Sequence, residues 1–265
     1  MKRIFFFVFS SFLMMTVPSG CNVKGGQGIN LFTIEQEQEL GRQVKQEIES
    51  NPSEYPLLPE QGNEQVYQYI RSLRDYILNS GQLAHRNDFA WEVKIIKDDE
   101  TLNAFCTPGG YIYVYSGLIK FLDSESELLG VLAHEIAHAD LRHSTRQLTK
   151  IYGLQVLVAI ATGKSEPGLV EQIALGLASL KFSRSHESEA DANSVLYLCN
   201  SPYDAAGAAG FFEKMLDRPT PPQFISTHPS PANRVKAIHE RKQVLGCSGS
   251  KTGQSKYRQM KQLLP

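Results

Sequence analysis

His134 and His138 lie four residues apart and Glu135 directly follows the first of them, in the stretch LGVLAHEIAHADLRH over residues 129–143. Residues at that spacing share one face of an α-helix, so the two imidazoles can offer nitrogens to a single cation. Zinc takes neutral imidazole and carboxylate ligands, and a zinc site that performs chemistry has three protein ligands with a fourth position left to water. Glu135 need not be a ligand: a carboxylate beside the first histidine can reach that water and take its proton. The bland alternative is a packed helix that happens to be rich in histidine. Glu125, Leu128, Leu129, Leu132, Ile136 and Leu141 supply the helical residues around the motif under either reading.

A third ligand has to come from elsewhere, and FSRSHESEADANSVLYL, residues 182–198, offers carboxylates on an expected helix. Glu187 and Asp191 share a face there, whereas Glu189 points away. Glu187 is expected to complete the ligand set. Asp191 is expected to accept a hydrogen bond from the far nitrogen of a ligand histidine, which fixes its tautomer and raises its basicity. Taken alone, the stretch also reads as a solvated acidic helix. His143, nine positions after His134, is expected to be rotated off the ligand face, and His186 adjoins Glu187 but faces elsewhere. Both are expected to be structural.

The pattern H-E-x-x-H followed by S-R-x-x-E-x-x-A-D, here Ser183, Arg184, Glu187, Ala190 and Asp191, resembles the gluzincin metallopeptidases that include the CAAX prenyl endopeptidase, HtpX, BepA and LoiP, peptidase family M48. NAFCTPGGYIYVYSGLI, residues 103–119, resembles that family's strand and turn before the active-site helix. STHPSPANRVKAI, residues 226–238, resembles its His-Pro motif followed by arginine and an apolar residue. The resemblance covers residues 33–245. It implies one zinc ion per subunit on His134, His138 and Glu187, with Asp191 in support. It also implies that His228 sits in a loop near the metal, either covering it or stabilising charge on the substrate, and that Arg234 ties down the loop or the site. The activity implied is zinc-dependent endoproteolysis of unfolded or misassembled cell-envelope proteins, with Glu135 as general base. An envelope chaperone or assembly factor with latent or weak peptidase activity is the alternative. Cys106 stands where the family commonly has small residues, and it is read as packing.

These residues need a scaffold, and 265 residues with 42% hydrophobic content suffice for one principal domain. Lys and Arg number 27 against 28 Asp and Glu, which gives no basic excess to favour a nucleic acid partner. Lys2 and Arg3 precede an apolar run to Val17 and then Ser19, Gly20 and Cys21, which reads as an export signal over 1–20. A cysteine at that point resembles a lipobox, so Cys21 is expected to carry a lipid anchor that holds the chain at a membrane, the outer membrane favoured, facing the periplasm; otherwise the chain is periplasmic or secreted. In an oxidising compartment, Cys199 is expected to pair with Cys247, with three reduced cysteines as the alternative.

A linker is expected over 21–32, the metallopeptidase domain over 33–245 and a loosely ordered tail over 246–265. Thr33 is a candidate N-cap for a first helix, and Val66, Tyr69, Ile70, Leu73 and Ile77 mark a second. FAWEVKIIKDD and YIYVYSG read as strands of a small sheet, with Tyr111 to Tyr115 expected to receive substrate as an added strand. Helices are expected again from Glu125 and over 148–161, 167–180, 184–199, 204–217 and 231–244. The hydrophobic segment between 151 and 180 is split by Gly163 to Pro167, and a buried helical hairpin is its expected form, with a membrane- or substrate-facing lid as the alternative. Helix, strands and then many helices make an α+β, mostly helical zincin-like domain with a small mixed sheet beside the active-site helix.

Overall fold

The computed structural model describes residues 30–216, 223–228 and 231–265, so the expected signal and Cys21 lie outside the described residues. Helix α1, Ile34–Ser50, opens on Thr33, whose hydroxyl accepts the Gln36 N–H while the Gln36 side chain accepts the Thr33 N–H. This reciprocal cap satisfies two N-terminal donors at once. Helix α2, Glu64–Leu78, buries Val66, Ile70, Leu73 and Ile77 along one stripe.

Three strands follow: β1, Val93–Ile96; β2, Ala104–Thr107; and β3, Tyr111–Tyr115. Their order is β1-β3-β2, with β1 parallel and β2 antiparallel to β3. Side chains alternate between two faces of a strand. Ala104, Cys106, Ile112 and Val114 enter the main core, whereas Phe105, Tyr113 and Tyr115 enter a second core beneath α1. Because β3 is paired along both edges, it has no free backbone row to receive another strand. The expectation that Tyr111 to Tyr115 accepts substrate is therefore wrong: within this sheet the edges are β1 and β2.

The helices that follow are α3, Ser116–Phe121; α4, Glu125–Asp140; α5, His143–Tyr152; α6, Leu154–Ala161; α7, Leu169–Leu177; α8, Arg184–Leu198; α9, Gly207–Leu216; α10, Gln223–Thr227; α11, Pro231–Val244; and α12, Gln254–Lys261. The helix expected over 148–161 is two, broken at Gly153, whose φ of 82° no helical residue adopts. The hairpin of α6 and α7 buries one face, with Leu157, Ile160, Ile173 and Leu177 in the second core, and leaves Ile151 before it and Leu175 within it exposed. Among the described residues no helix is long and apolar enough to cross a membrane.

Two expectations about the ends of the domain change. Phe32, assigned to the linker, is buried in the second core. The tail is not loose: α12 buries Tyr257 and Met260, and the Tyr257 hydroxyl donates to the Ile119 carbonyl at 2.8 Å. Glu125, fully buried at the start of α4, accepts from the hydroxyls of Tyr69 and Tyr203 and lies 3.3 Å from Lys256 Nζ, which ties the tail to that helix. Cys199, at the end of α8, is disulfide-bonded to Cys247, as expected, leaving Cys106 free and buried.

Helix α4 is buried along almost its whole length, its ionisable residues included. Its contact with α9 brings the two backbones together: a Cβ on Gly130 would fall 2.1 Å from the Ala208 nitrogen, and one on Gly207 would fall 1.8 Å from the Ser126 carbonyl oxygen. Backbone cannot yield as a flexible side chain can. Gly130→Ala is expected to destabilise the domain by about 1–3 kcal/mol, the usual scale of overpacking, visible as a lower urea midpoint.

Candidate metal centre

Both histidines and Glu135 project from the buried middle of α4. Ser183 caps α8 by accepting the His186 N–H, which starts that helix so that Glu187 lies in its first turn, facing α4. His138 Nε2 lies 3.0 Å from His134 Nε2, and Glu187 carboxylate oxygens lie 3.5 Å from each of those nitrogens. His228, following α10, places Nδ1 2.9 Å from Glu187 Oε1 and 3.3 Å from His134 Nε2. One ligand atom from each of His134, His138, Glu187 and His228 falls within 4.8 Å of the others, and all four residues are buried. Glu135 lies alongside, with Oε1 3.6 Å from His228 Nε2.

Behind this cluster stand the other two residues singled out from the sequence. Asp191 Oδ1 is 3.0 Å from His134 Nδ1, on the far side of the ring. Arg234, from α11, donates Nη2–H to Asp191 Oδ1 at 2.6 Å and Nε–H to Asp191 Oδ2 at 2.7 Å, while Nη1 lies 2.9 Å from Glu187 Oε2. Nη1 also donates to the His228 carbonyl at 3.3 Å, and the guanidinium lies over the Phe212 ring at 4.0 Å. Arg234 thus holds both carboxylates and the backbone of the His228 segment. Cys106 is buried with its thiol held well above the usual range, first by burial and then by the Glu135 charge, which suits packing rather than reactivity.

His143 stays outside the ligand cluster, as expected, but it is not rotated away from the ligand pair, and the reason is local. Helix α4 stops at Asp140, and Arg142 takes φ 59° and ψ 34°, a left-handed conformation unusual for a residue with a side chain. Its guanidinium is held by buried Glu37 of α1, with Nε to Oε2 at 2.6 Å, and by the Phe32 carbonyl. The reversed chain starts α5 at His143 and swings that ring back, fully buried, with Nδ1 3.1 Å from His138 Nδ1. A continuous helix would have carried it away. His143 Nε2 in turn lies 3.2 Å from Glu189 Oε2, so Glu189, which points away from the cluster as expected, still reaches it through one residue. His186 faces away from the cluster and stacks on His143 at 4.3 Å.

Three carboxylates, Glu135, Glu187 and Asp191, and one guanidinium, Arg234, are buried together here. Buried charge must be compensated. Burial and the Arg234 charge push the His134 pKa down, but hydrogen bonds to Asp191 and Glu187 outweigh them and raise it to about 9. Burial also raises Glu135. His138 is pushed well below the usual histidine range by burial and then by the His134 charge, and burial likewise depresses His143 to about 2. Burial opposes ionisation of Glu187 and Asp191, but His228 and His134 for the first and Arg234 for the second hold both below the usual carboxylate range. Three carboxylates against one guanidinium leave an excess of two negative charges, which a divalent cation would match. Glu135 Oε1 has no hydrogen-bond partner, so it is also free to meet a water. The donor set and the charge both fit a dipositive ion that prefers nitrogen and oxygen.

Two histidines one helical turn apart, faced by a glutamate from a second helix beside a small mixed sheet, define a zincin-like metallopeptidase domain. Residues 64–242 match the model for Peptidase family M48, and the chain belongs to that family. It is 33% identical over 157 residues to mitochondrial metalloendopeptidase OMA1 of Arabidopsis thaliana, covering 58% of this chain and 32% of that protein. It is 32% identical over 188 residues to a putative beta-barrel assembly-enhancing protease of Vibrio cholerae, covering 64% of this chain and 39% of that one. The beta-barrel assembly-enhancing protease of Yersinia pestis is 29% identical over 230 residues, 79% of this chain and 44% of its own length. The chain spans less than half of each of these relatives.

Removing Arg234 would leave Asp191 and Glu187 buried without their cation. Arg234→Met is expected to lower the stability of the metal-free protein by about 3–5 kcal/mol in urea unfolding, with part of the loss recovered on adding zinc.

Proposed function

We propose that this chain is a zinc-dependent endopeptidase of the bacterial cell envelope, acting on unfolded or misassembled envelope polypeptides. The observation that carries this reading is the convergence of His134, His138 and Glu187 on one point, with Glu135 Oε1 free of hydrogen bonds beside them. These three residues would hold one zinc ion per subunit. When bound there, zinc supplies Lewis acidity, lowering the pKa of water and polarising a scissile carbonyl. Glu135 takes the proton from the attacking water and passes it to the leaving amine; its raised pKa suits a group that must both accept and give. Asp191 fixes His134 through Nδ1, and Arg234 holds Asp191 and Glu187 in place.

The envelope setting is supported by the export-signal pattern over 1–20 and by likeness to proteins named for beta-barrel assembly. On this reading Cys21 carries a lipid anchor, the outer membrane favoured, and the metallopeptidase domain runs from Phe32 through α12. His228 has two places in the scheme. Lying among the ligand residues, it closes the site; moved off Glu187, it can donate to the substrate carbonyl oxygen as charge develops. The closed arrangement supports a second reading, an envelope chaperone or assembly factor with latent peptidase activity.

Glu135→Gln is expected to keep stoichiometric zinc while casein cleavage falls by about 10²- to 10⁴-fold, the usual worth of a general base. Retained cleavage would remove Glu135 from that role. Glu187→Ala is expected to lose the metal, measured by zinc content after dialysis. If Glu135→Gln rescues an envelope phenotype as well as the parent does, binding rather than proteolysis is the working activity.

A further inference from the structure

His134 and His138 do not have the same support. His134 meets a carboxylate directly, at Asp191, whereas the outer nitrogen of His138 meets another imidazole. Two ring nitrogens 3.1 Å apart make a hydrogen bond only if one carries the proton and the other does not. His138 Nε2 faces the cluster, so a ligand His138 must carry its proton on Nδ1 and donate it outward. His143 must then accept at Nδ1, which puts its own proton on Nε2, 3.2 Å from Glu189 Oε2. A carboxylate accepts there. Every donor meets an acceptor along the line, and the opposite assignment would aim an N–H at the metal position.

The geometry points to His143 and Glu189 as positioning residues, a relay Glu189–His143–His138 that fixes the tautomer and ring orientation of the second ligand histidine. This rests on the reading of the cluster as a zinc site. Other contacts also hold the relay. His186 stacks on His143 at 4.3 Å, Phe182 lies 4.0 Å from the His138 ring, and the left-handed Arg142 places the start of α5. The strained turn therefore has a use: it delivers one imidazole to the back of another. The Glu189 side chain is 30% exposed, so the charge at the end of the relay is partly solvated.

The test uses the full chain and zinc itself. Long-range proton–nitrogen correlation on the zinc-loaded, nitrogen-15-labelled protein is expected to show His138 protonated at Nδ1 and His143 at Nε2. A His143 protonated at Nδ1 overturns the relay. His143→Leu is expected to weaken zinc affinity by about 10- to 100-fold in chelator competition and to shift the visible bands of the cobalt-substituted protein. His143→Asn, whose side-chain oxygen lies near the position of Nδ1, is expected to restore most of that affinity. Wild-type affinity and an unchanged cobalt spectrum in a folded His143→Leu protein would overturn the proposal; should that variant not fold, the tautomers of the parent decide. If the parent binds no zinc, or Glu187→Ala binds it unchanged, the zinc-site reading itself fails, and the relay with it.

Discussion

Burying three carboxylates around two imidazoles is the constraint on which the rest of this structure depends. They are almost wholly removed from solvent, so most of their charge has to be met by protein groups or an ion. Arg234 meets part of it, with one guanidinium bridging Asp191 and Glu187 in a fork geometry that a lysine could not reproduce. This explains why α11, remote in sequence from the H-E-x-x-H helix, packs against α8 and α9. Its arginine reaches the carboxylates over the face of Phe212. What Arg234 leaves unmet is the charge of a divalent ion.

The same constraint accounts for the surroundings of α4. A helix carrying ionisable residues through a dry core cannot shift without exposing them, and it is fixed along its length by different means. Ser124 caps its first turn, Gly130 and Gly207 bring its backbone against α9, and Glu125 ties it to the segment between α8 and α9 through Tyr203 and to the C-terminal segment through Lys256. At the far end, Asp140 accepts the N–H groups of Ala84 and His85 and the Tyr197 hydroxyl. The general base and both ligand histidines lie between these fixed points, which is what pre-organisation of a site demands.

Much of this was legible in the residues because it depends on short periodicities. Helical spacing places His134 beside His138 and Glu187 beside Asp191, and no tertiary information is needed for either pair. The fate of His143 was not legible, because extrapolating a helix fails where Arg142 turns left-handed, and that turn is held by Glu37, about a hundred residues earlier. Strand order is similarly non-local: the aromatic, β-branched run at Tyr111 to Tyr115 marks a strand but not its central place. The tail did carry a signal. Tyr257, Met260 and Leu264 fall at helical intervals and are buried, but the polar residues around them hide the pattern.

The unequal support of the two ligand histidines follows from the same charge balance. A carboxylate placed directly behind His138, as Asp191 is behind His134, would add another full negative charge to a core that already exceeds its one guanidinium by two. A neutral imidazole supplies the acceptor without that charge. Burial keeps His143 neutral, with its pKa depressed to about 2, and the compensating carboxylate is moved one ring outward to Glu189, whose side chain is 30% exposed where His143 is fully buried. Charge that solvent can screen costs far less than charge in a dry core. The centre can therefore orient both imidazoles while remaining matched to a single dipositive ion, and the turn at Arg142 is the structural means by which it does so.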